Sequence, residues 1–581
     1  MKWFRILSFV AVFCVGALVM SQEASEETPT PPKKLTVSEF LQKFKENPKS
    51  VIDLLPTKDY SRAEALEDFK TELGEVWTWL QVNAHTASNW TREKIVAYND
   101  DLDGTVELPE EGRRPWKGND LPEDLLGTDD YVKRLADLPT EGQAKEVPWS
   151  SDYWPLKSGA VAARYMDREG SEQRFNSWLD FFNSFQQPRE FLNLKRPIAT
   201  SSTVDFYSPA EKYDILVGDK NFTLTNGLKL VGADYANPKW GKNEHGEDIV
   251  VSVEKEVEHW MGICHGWAGA AYKISRPTKA IEVTGVNGDK VTFHEDDLKG
   301  LAVQKWANSR SESRFVGGRC NVKDTEVEKD EETGAVIDDD CFDTNPGTWH
   351  LIATNKLSKG ESFVVDATYD YEVWNQPAVS YRLVYFNPKT MEAAENLKDA
   401  IVPYGFEGDK FHSLREKNWK RANTESGKRF RPAAIVGVAM AFSYVVETQP
   451  KHGTSRENAI VTAQYYYDLE LDKKGNIVGG EWYQNKHPDF IWDPSSDFGV
   501  WPENAIDQYL SQLNKTKENQ YKYDGSIESL KRVLSLGVET DDGKTLNVAE
   551  LSSLPRSQKN PYGDQSPLAT VLEYLLSTAS K

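Results

Sequence analysis

Cysteine and methionine are scarce in this 581-residue chain, with four of the first and six of the second. Cys14, Cys264, Cys320 and Cys341 are too few for a disulfide scaffold, and none pairs in the CxxC spacing of a zinc ribbon. Basic charge is also short. Sixty-nine Lys plus Arg against 91 Asp plus Glu leave a formal charge of −22. That balance excludes a nucleic-acid backbone or an anionic membrane surface as the main partner. Beyond the first 20 residues no run reads as a transmembrane segment, so no stable membrane anchor is expected, and no internal repeat is present. What the chain does have is apolar and aromatic: 39 % hydrophobic residues, with 18 Trp and 24 Tyr. This is enough for a large core and excludes a disordered or fibrous chain. At roughly 100–200 residues per domain, the length suggests two to four domains.

Lys2 and Arg5 precede an apolar run from Ile6 to Met20, and Ser21 and a polar stretch follow. A short basic region, an apolar stretch and small residues at its end make residues 1–21 a signal peptide, directing the chain to a secreted or periplasmic location. Cys14 leaves with it, and the mature protein meets an oxidising space where disulfides persist. Residues 22–34, rich in Glu, Thr and Pro, are expected to be a linker. The pattern VSEFLQKFK puts Phe40, Leu41 and Phe44 on one helical face with Ser38 as a cap, and Arg62 to Gln81 is a second helical pattern. Residues 35–145 therefore form an N-terminal helical region. Strand patterns dominate after Pro148: residues 434–447 are an apolar run suited to a buried strand, and 464–482 alternate around a Lys-Lys-Gly-Asn turn as a β-hairpin. A catalytic region over 146–500 and a helical extension over 501–581, with an amphipathic helix at Ser566 to Ser577, complete an α+β chain.

The segment WMGICHGWAGAA places Cys264 after a glycine and ahead of small residues suited to a helix start packed tightly on a neighbour. A cysteine there feels the positive end of the helix dipole, which favours thiolate. The alternative is a buried structural cysteine. Downstream, His350 opens a strand-like run, HLIATN, and a second strand, SFVVDATY, carries Asp366. Paired antiparallel strands would let Asp366 orient the imidazole while its other nitrogen faces Cys264. The order Cys, His, Asp is that of papain-like cysteine catalysis.

GICHGWA, NPGTWH and DATYDYEVWNQP, together with stretches at Trp149–Tyr165 and Gly479–Trp492, resemble the elicitor transglutaminases of oomycetes and their bacterial relatives. The resemblance covers roughly residues 145–495. Val373–Pro377 match the core of that family's surface peptide recognised by plant immune systems, and the sequence departs from that peptide after Pro377. The resemblance implies a papain-like, transglutaminase-like core and acyl transfer between Gln and Lys side chains of protein substrates. In it Cys264 forms a thioester, His350 shuttles protons and Asp366 orients the imidazole. Family members are active with calcium. A deamidase or peptidase using the same three residues, and a catalytically silent secreted elicitor, are the alternatives.

Other motifs carry weaker chemistry. Cys320 and Cys341 bracket an acidic insertion and most simply form a disulfide, worth roughly 3 kcal/mol by loop closure. One of them as a second nucleophile is the alternative. The cluster Asp338, Asp339, Asp340 and Asp343 is a solvated face or, less simply, a calcium site. In NDDLDGTVELPE, Asn99, Asp101, Asp103, Thr105, Glu107 and Glu110 fall at EF-hand loop positions, with Gly104 at the sharp turn, so this stretch is a candidate Ca2+ loop. Asn99 and Pro109 depart from the pattern. His265 is set about 100° from Cys264 on a helix, which disfavours it as base, and zinc on His259, Cys264 and His265 would need a fourth ligand.

Overall fold

The structure is a computed structural model. It describes residues 35–56, 58–61, 120–166, 175–185, 204–219, 222–246, 248–285, 288–307, 313–320, 327–337, 341, 344–368, 371–426, 431–453, 458–494, 538–539, 545–546 and 567–579. The signal peptide, the linker, the Arg62–Gln81 pattern, the 99–110 loop and Asp338, Asp339, Asp340 and Asp343 lie outside the described residues.

In chain order the elements used below are α1 (Val37–Glu46), β1 (Lys58–Ser61), β2 (Glu141–Gln143), α2 (Pro209–Val217) and α3 (Cys264–Lys273). They continue with β3 (Lys290–Phe293), α4 (Glu295–Ala307), β4 (Ser313–Gly317), α5 (Pro346–Leu357), β5 (Val364–Asp366) and β6 (Asn375–Asn387). The last are α6 (His412–Ser426), β7 (Ala434–Val446), β8 (Ala459–Leu471), β9 (Ile477–Gly479), β10 (Phe490–Pro494) and α7 (Pro567–Ala579). Helices and an antiparallel sheet occupy separate layers, so the α+β reading holds. The main sheet runs β1-β8-β7-β6-β5-β10-β4. The N-terminal region is less purely helical than expected, because β1 pairs with β8 and β2 with β6.

The apolar run at 434–447 becomes β7, hydrogen-bonded on both edges, to β8 and to β6. Period two splits its neighbour β8 between two faces. Tyr465, Tyr467, Leu469 and Leu471 join one core with Val436, Val438, Met440 and Phe442 of β7. Helix α5 caps this core, with Trp349 edge-on to Phe442 at 4.7 Å. Tyr466, Asp468 and Glu470 face the other way. Phe40 of α1 stacks on Tyr466 at 4.2 Å, and Phe44 on Tyr483 at 4.2 Å. Burying each of these phenylalanines contributes about 1.5–3 kcal/mol. The cap of α1 is Thr36 rather than Ser38: its hydroxyl takes the Glu39 N–H while the Glu39 carboxylate takes the Thr36 N–H. The hairpin joining β8 to β9 turns at Gly475, whose φ is +82°.

On the α1 side of the sheet, Arg415 of α6 is fully buried among carboxylates. It bonds both oxygens of Asp468 and reaches Asp409 at 3.2 Å and Glu470 at 3.3 Å. The Trp419 indole N–H donates to the other Glu470 oxygen at 3.0 Å. Buried charge is tolerated here because each charged group has a partner.

The helical layer has its own core, in which α3 packs on α4. A Cβ on Gly266 would lie 2.4 Å from the Val303 carbonyl oxygen, and one on Gly269 2.9 Å from the Trp306 ring. The small residues after Cys264 thus serve the close helix contact their sequence suggested. Helix α7, expected at 566–577, seats Val571, Leu572 and Leu575 in the same core. Among the described residues no helix is long and apolar enough to cross a membrane.

Candidate active site around Cys264

Cys264 is the first residue of α3, is buried, and is the free cysteine among the described residues. Beneath it, β5 and β6 pair in a register that sets Asp366 opposite Asn375. The Asn375 amide is oriented by β10, where the Trp492 indole N–H donates to Asn375 Oδ1 at 2.7 Å. An indole can only donate, so the Asn375 amino group is turned towards the Cys264 sulfur, 3.3 Å away. The sulfur lies 3.9 Å from the Val373 carbonyl oxygen, an acceptor for its S–H.

Asp366 Oδ1 accepts the Thr368 hydroxyl at 2.6 Å, the Thr368 N–H at 3.2 Å and the Trp374 N–H at 2.9 Å. Its Oδ2 is buried with no hydrogen-bond partner among the described residues. Burial pushes this carboxyl up to about 7 against those bonds and the nearby Arg319 charge. Glu447, just past the end of β7, accepts two bonds from the Gln376 amide at 2.9 and 3.0 Å, and burial pushes it too up to about 7. The thiol moves opposite to the sequence expectation. Burial pushes Cys264 up to about 11; the Asn375 bonds lower it, and the Glu447 and Asp366 charges raise it. The helix dipole is worth about 0.3–1 kcal/mol, which desolvation and two neighbouring carboxylates outweigh. At neutral pH the resting group is a thiol.

His350 is not where the strand reading put it. Asn345 accepts the Gly347 N–H at 2.8 Å and Pro346 takes the first turn, so NPGTWH starts helix α5. The His350 ring is buried under the sheet, with Nδ1 bonded to the Tyr467 hydroxyl at 2.9 Å. Nε2 has no hydrogen-bond partner among the described residues. Burial alone lowers its pKa, to about 3, with no carboxylate contributing. Tyr467 pairs with Val438, and Val438 with Tyr385, ten residues along β6 from Asn375. That is roughly 33 Å of extended strand. The structure brings Cys264 and Asp366 together, while the His350 ring is bonded to Tyr467 and to neither of them.

Of the remaining candidates, Cys320 and Cys341 are bonded to each other, and His265 is exposed on α3. The calcium-loop residues Asn99, Asp101, Asp103, Thr105 and Glu110 lie outside the described residues. Sequence reasoning passed over Asn375, Gln376, Glu447 and Trp492 as site residues. The signal for the first two was in VWNQP, read for its resemblance rather than its chemistry. The signal for Glu447 was a carboxylate closing an apolar strand.

Residues 252–500 match the transglutaminase elicitor family. This stretch is under half of the chain and holds the whole Cys264 cluster, so the resemblance read from GICHGWA and VWNQP stands over it. Among solved structures, the crystal structure of the GP42 transglutaminase from Phytophthora sojae is similar, at a TM-score of 0.39 and 21 % identity, over 65 % of this chain and 91 % of that one. No curated protein matches. Within the elicitor-family stretch, Val373 to Gln376 all face the cluster: a carbonyl towards the sulfur, an N–H on Asp366, an amide on the sulfur and an amide on Glu447. Asn375 and Gln376 are buried, so these two residues of the motif build the site instead of decorating the surface.

Proposed function

We propose that the chain is an exported acyltransferase of the transglutaminase type, built on a papain-like pairing of helix α3 with strands β5 and β6. Cys264 attacks the carboxamide of a substrate glutamine. The C–N bond breaks, ammonia leaves with the thiol proton, and a thioester remains. A lysine amine then attacks the thioester, giving an isopeptide and returning a proton to the sulfur; water in its place gives the deamidated side chain. The Cys264–Asn375 contact inside the family-matched stretch carries this reading. Asn375 fixes the sulfur, and Asp366, whose carboxyl burial raises towards neutral pH and whose Oδ2 is unengaged, is the group beside it suited to take the thiol proton. His350, held by Tyr467, is left out of the proton path. The Cys320–Cys341 bond supports an oxidising compartment and hence export. Calcium remains an expectation of the 99–110 loop, and no step is routed through it.

A catalytically silent elicitor is favoured by one observation: a buried thiol pushed up to about 11 is a poor nucleophile at rest. Incorporation of a fluorescent amine into casein separates the readings. It is measured on wild type, Cys264→Ala and Asp366→Asn, each with calcium and with chelator. Labelling that disappears in Cys264→Ala supports the transferase. Ammonia release without labelling indicates a deamidase. No reaction in wild type under any condition leaves the silent reading standing.

A further inference from the structure

Outside the Cys264 cluster, three distant stretches of chain bring together a second set of reactive side chains. Asp205 comes just before α2, His294 sits between β3 and α4, and His452 lies in the loop after β7. One ligand atom from each lies within 4.8 Å of the others. His294 Nε2 is 2.8 Å from Asp205 Oδ1, and His452 Nδ1 is 3.9 Å from Asp205 Oδ2. The two rings stack, centroids 4.3 Å apart and 15° from parallel, so both present a nitrogen edge to the same carboxylate.

A single imidazole would suffice to anchor Asp205. The second gains no hydrogen bond from it, because 3.9 Å is too long for one. It is a span that an ion can occupy. Around a tetrahedral ion with bonds of about 2.0 Å, ligand atoms stand roughly 3.3 Å apart; one donor atom from each of the three residues already lies within 4.8 Å of the others, so small side-chain rotations bring them to that edge. Access is open, since the three side chains are 12 %, 27 % and 16 % exposed for His294, Asp205 and His452. The nearby cation, Lys212, is already neutralised by Asp297, whose other oxygen takes the Tyr165 hydroxyl at 2.9 Å. Lys299 is likewise paired with Asp296 at 3.0 Å.

We propose that Asp205, His294 and His452 bind a divalent transition metal, with zinc the ion whose preferences two imidazoles and a carboxylate meet best. The ion fastens the loop that leaves β7 to the helical layer. In the metal-free form the Gly453 N–H donates to His294 Nδ1 at 3.2 Å, so Nε2 carries the ring proton and donates to Asp205. Binding through Nε2 moves that proton to Nδ1 and releases the Gly453 N–H to solvent, which the exposed glycine reaches. No net proton is released by this step. The site owes nothing to the assignment of Cys264 and stands or falls separately from it.

The test uses the full chain stripped with chelator and titrated with Zn2+ by calorimetry and with Co2+ by visible absorption. One ion per chain is expected, with the intense visible band of four-coordinate Co2+, and with slower backbone hydrogen exchange at residues 448–452 of the unmutated protein on adding Zn2+, while the released Gly453 N–H exchanges faster. His294→Gln, His452→Gln and Asp205→Asn should each weaken binding by at least about 10- to 100-fold. Asp205→Asn, at a partly exposed position, serves where a histidine variant folds poorly. The proposal is overturned if wild type shows no saturable uptake up to about 100 μM. It is equally overturned if the His294→Gln/His452→Gln double variant binds as wild type does, or if exchange at 448–452 ignores the metal.

Discussion

The sheet carries two buried polar clusters that solve the same problem differently. Around Arg415, a guanidinium and three carboxylates engage one another, with Trp419 closing the last oxygen of Glu470. Around Cys264, two carboxyls lie beside a thiol with no buried cation bonded to them, and Asp366 Oδ2 and Gln376 Oε1 have no hydrogen-bond partner among the described residues. The first arrangement gives a rigid, satisfied core. The second keeps protons where solvent would normally remove them, which is what chemistry on a bound substrate requires. The contrast teaches that burial alone does not mark a site. Burial with incomplete pairing does.

The sharpest way to break the contrast is to truncate each centre. Cys264→Ala should lower amine incorporation by at least about 1,000-fold while moving stability by about 1 kcal/mol or less. Arg415→Met should do the reverse. Leaving three carboxylates buried without their cation costs about 3–5 kcal/mol in denaturant unfolding, with activity per folded molecule retained. If both variants lose stability alike, the two clusters are of one kind and the distinction fails. A smaller effect sits on Asn375. Removing its amide takes a bond from the sulfur and raises the thiol further, so Asn375→Ala should slow alkylation of Cys264 by about two- to tenfold at neutral pH.

The acid–base prediction follows from the raised carboxyls. Asp366 and Glu447 titrate near 7 in the folded chain and near 4 when unfolded. Between those values the unfolded state has released protons that the folded state still holds, so stability falls as pH rises through that window. Asp366→Asn should flatten part of the slope measured by denaturation at several pH values. An unchanged slope would mean that Asp366 is already ionised in the fold. The smallest effect belongs to Thr36→Ala, about 1 kcal/mol from the lost cap of α1. It serves as the reference for what an ordinary surface-side change does.

Local patterns in the sequence served well wherever the fold obeys local rules. The apolar run of β7, the hairpin after it, the amphipathic face of α1, the terminal helix and the small residues behind Cys264 were all legible from spacing. His350 misled because HLIATN is rich in β-compatible residues, while the stronger cue is Asn345 and Pro346 at a helix start. The thiol misled for another reason. A dipole can be read from position in a helix, but desolvation depends on strands more than 100 residues away. Asn375 and Glu447 reach the sulfur's neighbourhood through sheet register alone, and nothing local in the sequence encodes that meeting.

The strand that begins at Asn375 has one more consequence. The pentapeptide Val373–Pro377 is stitched into the sheet at Asp366 and pinned at the sulfur and at Glu447. Any receptor or antibody that grips Asn375 and Gln376 must therefore meet chain that has already come away from its neighbours. Binding to that segment would report the opening of the sheet and not its intact presence.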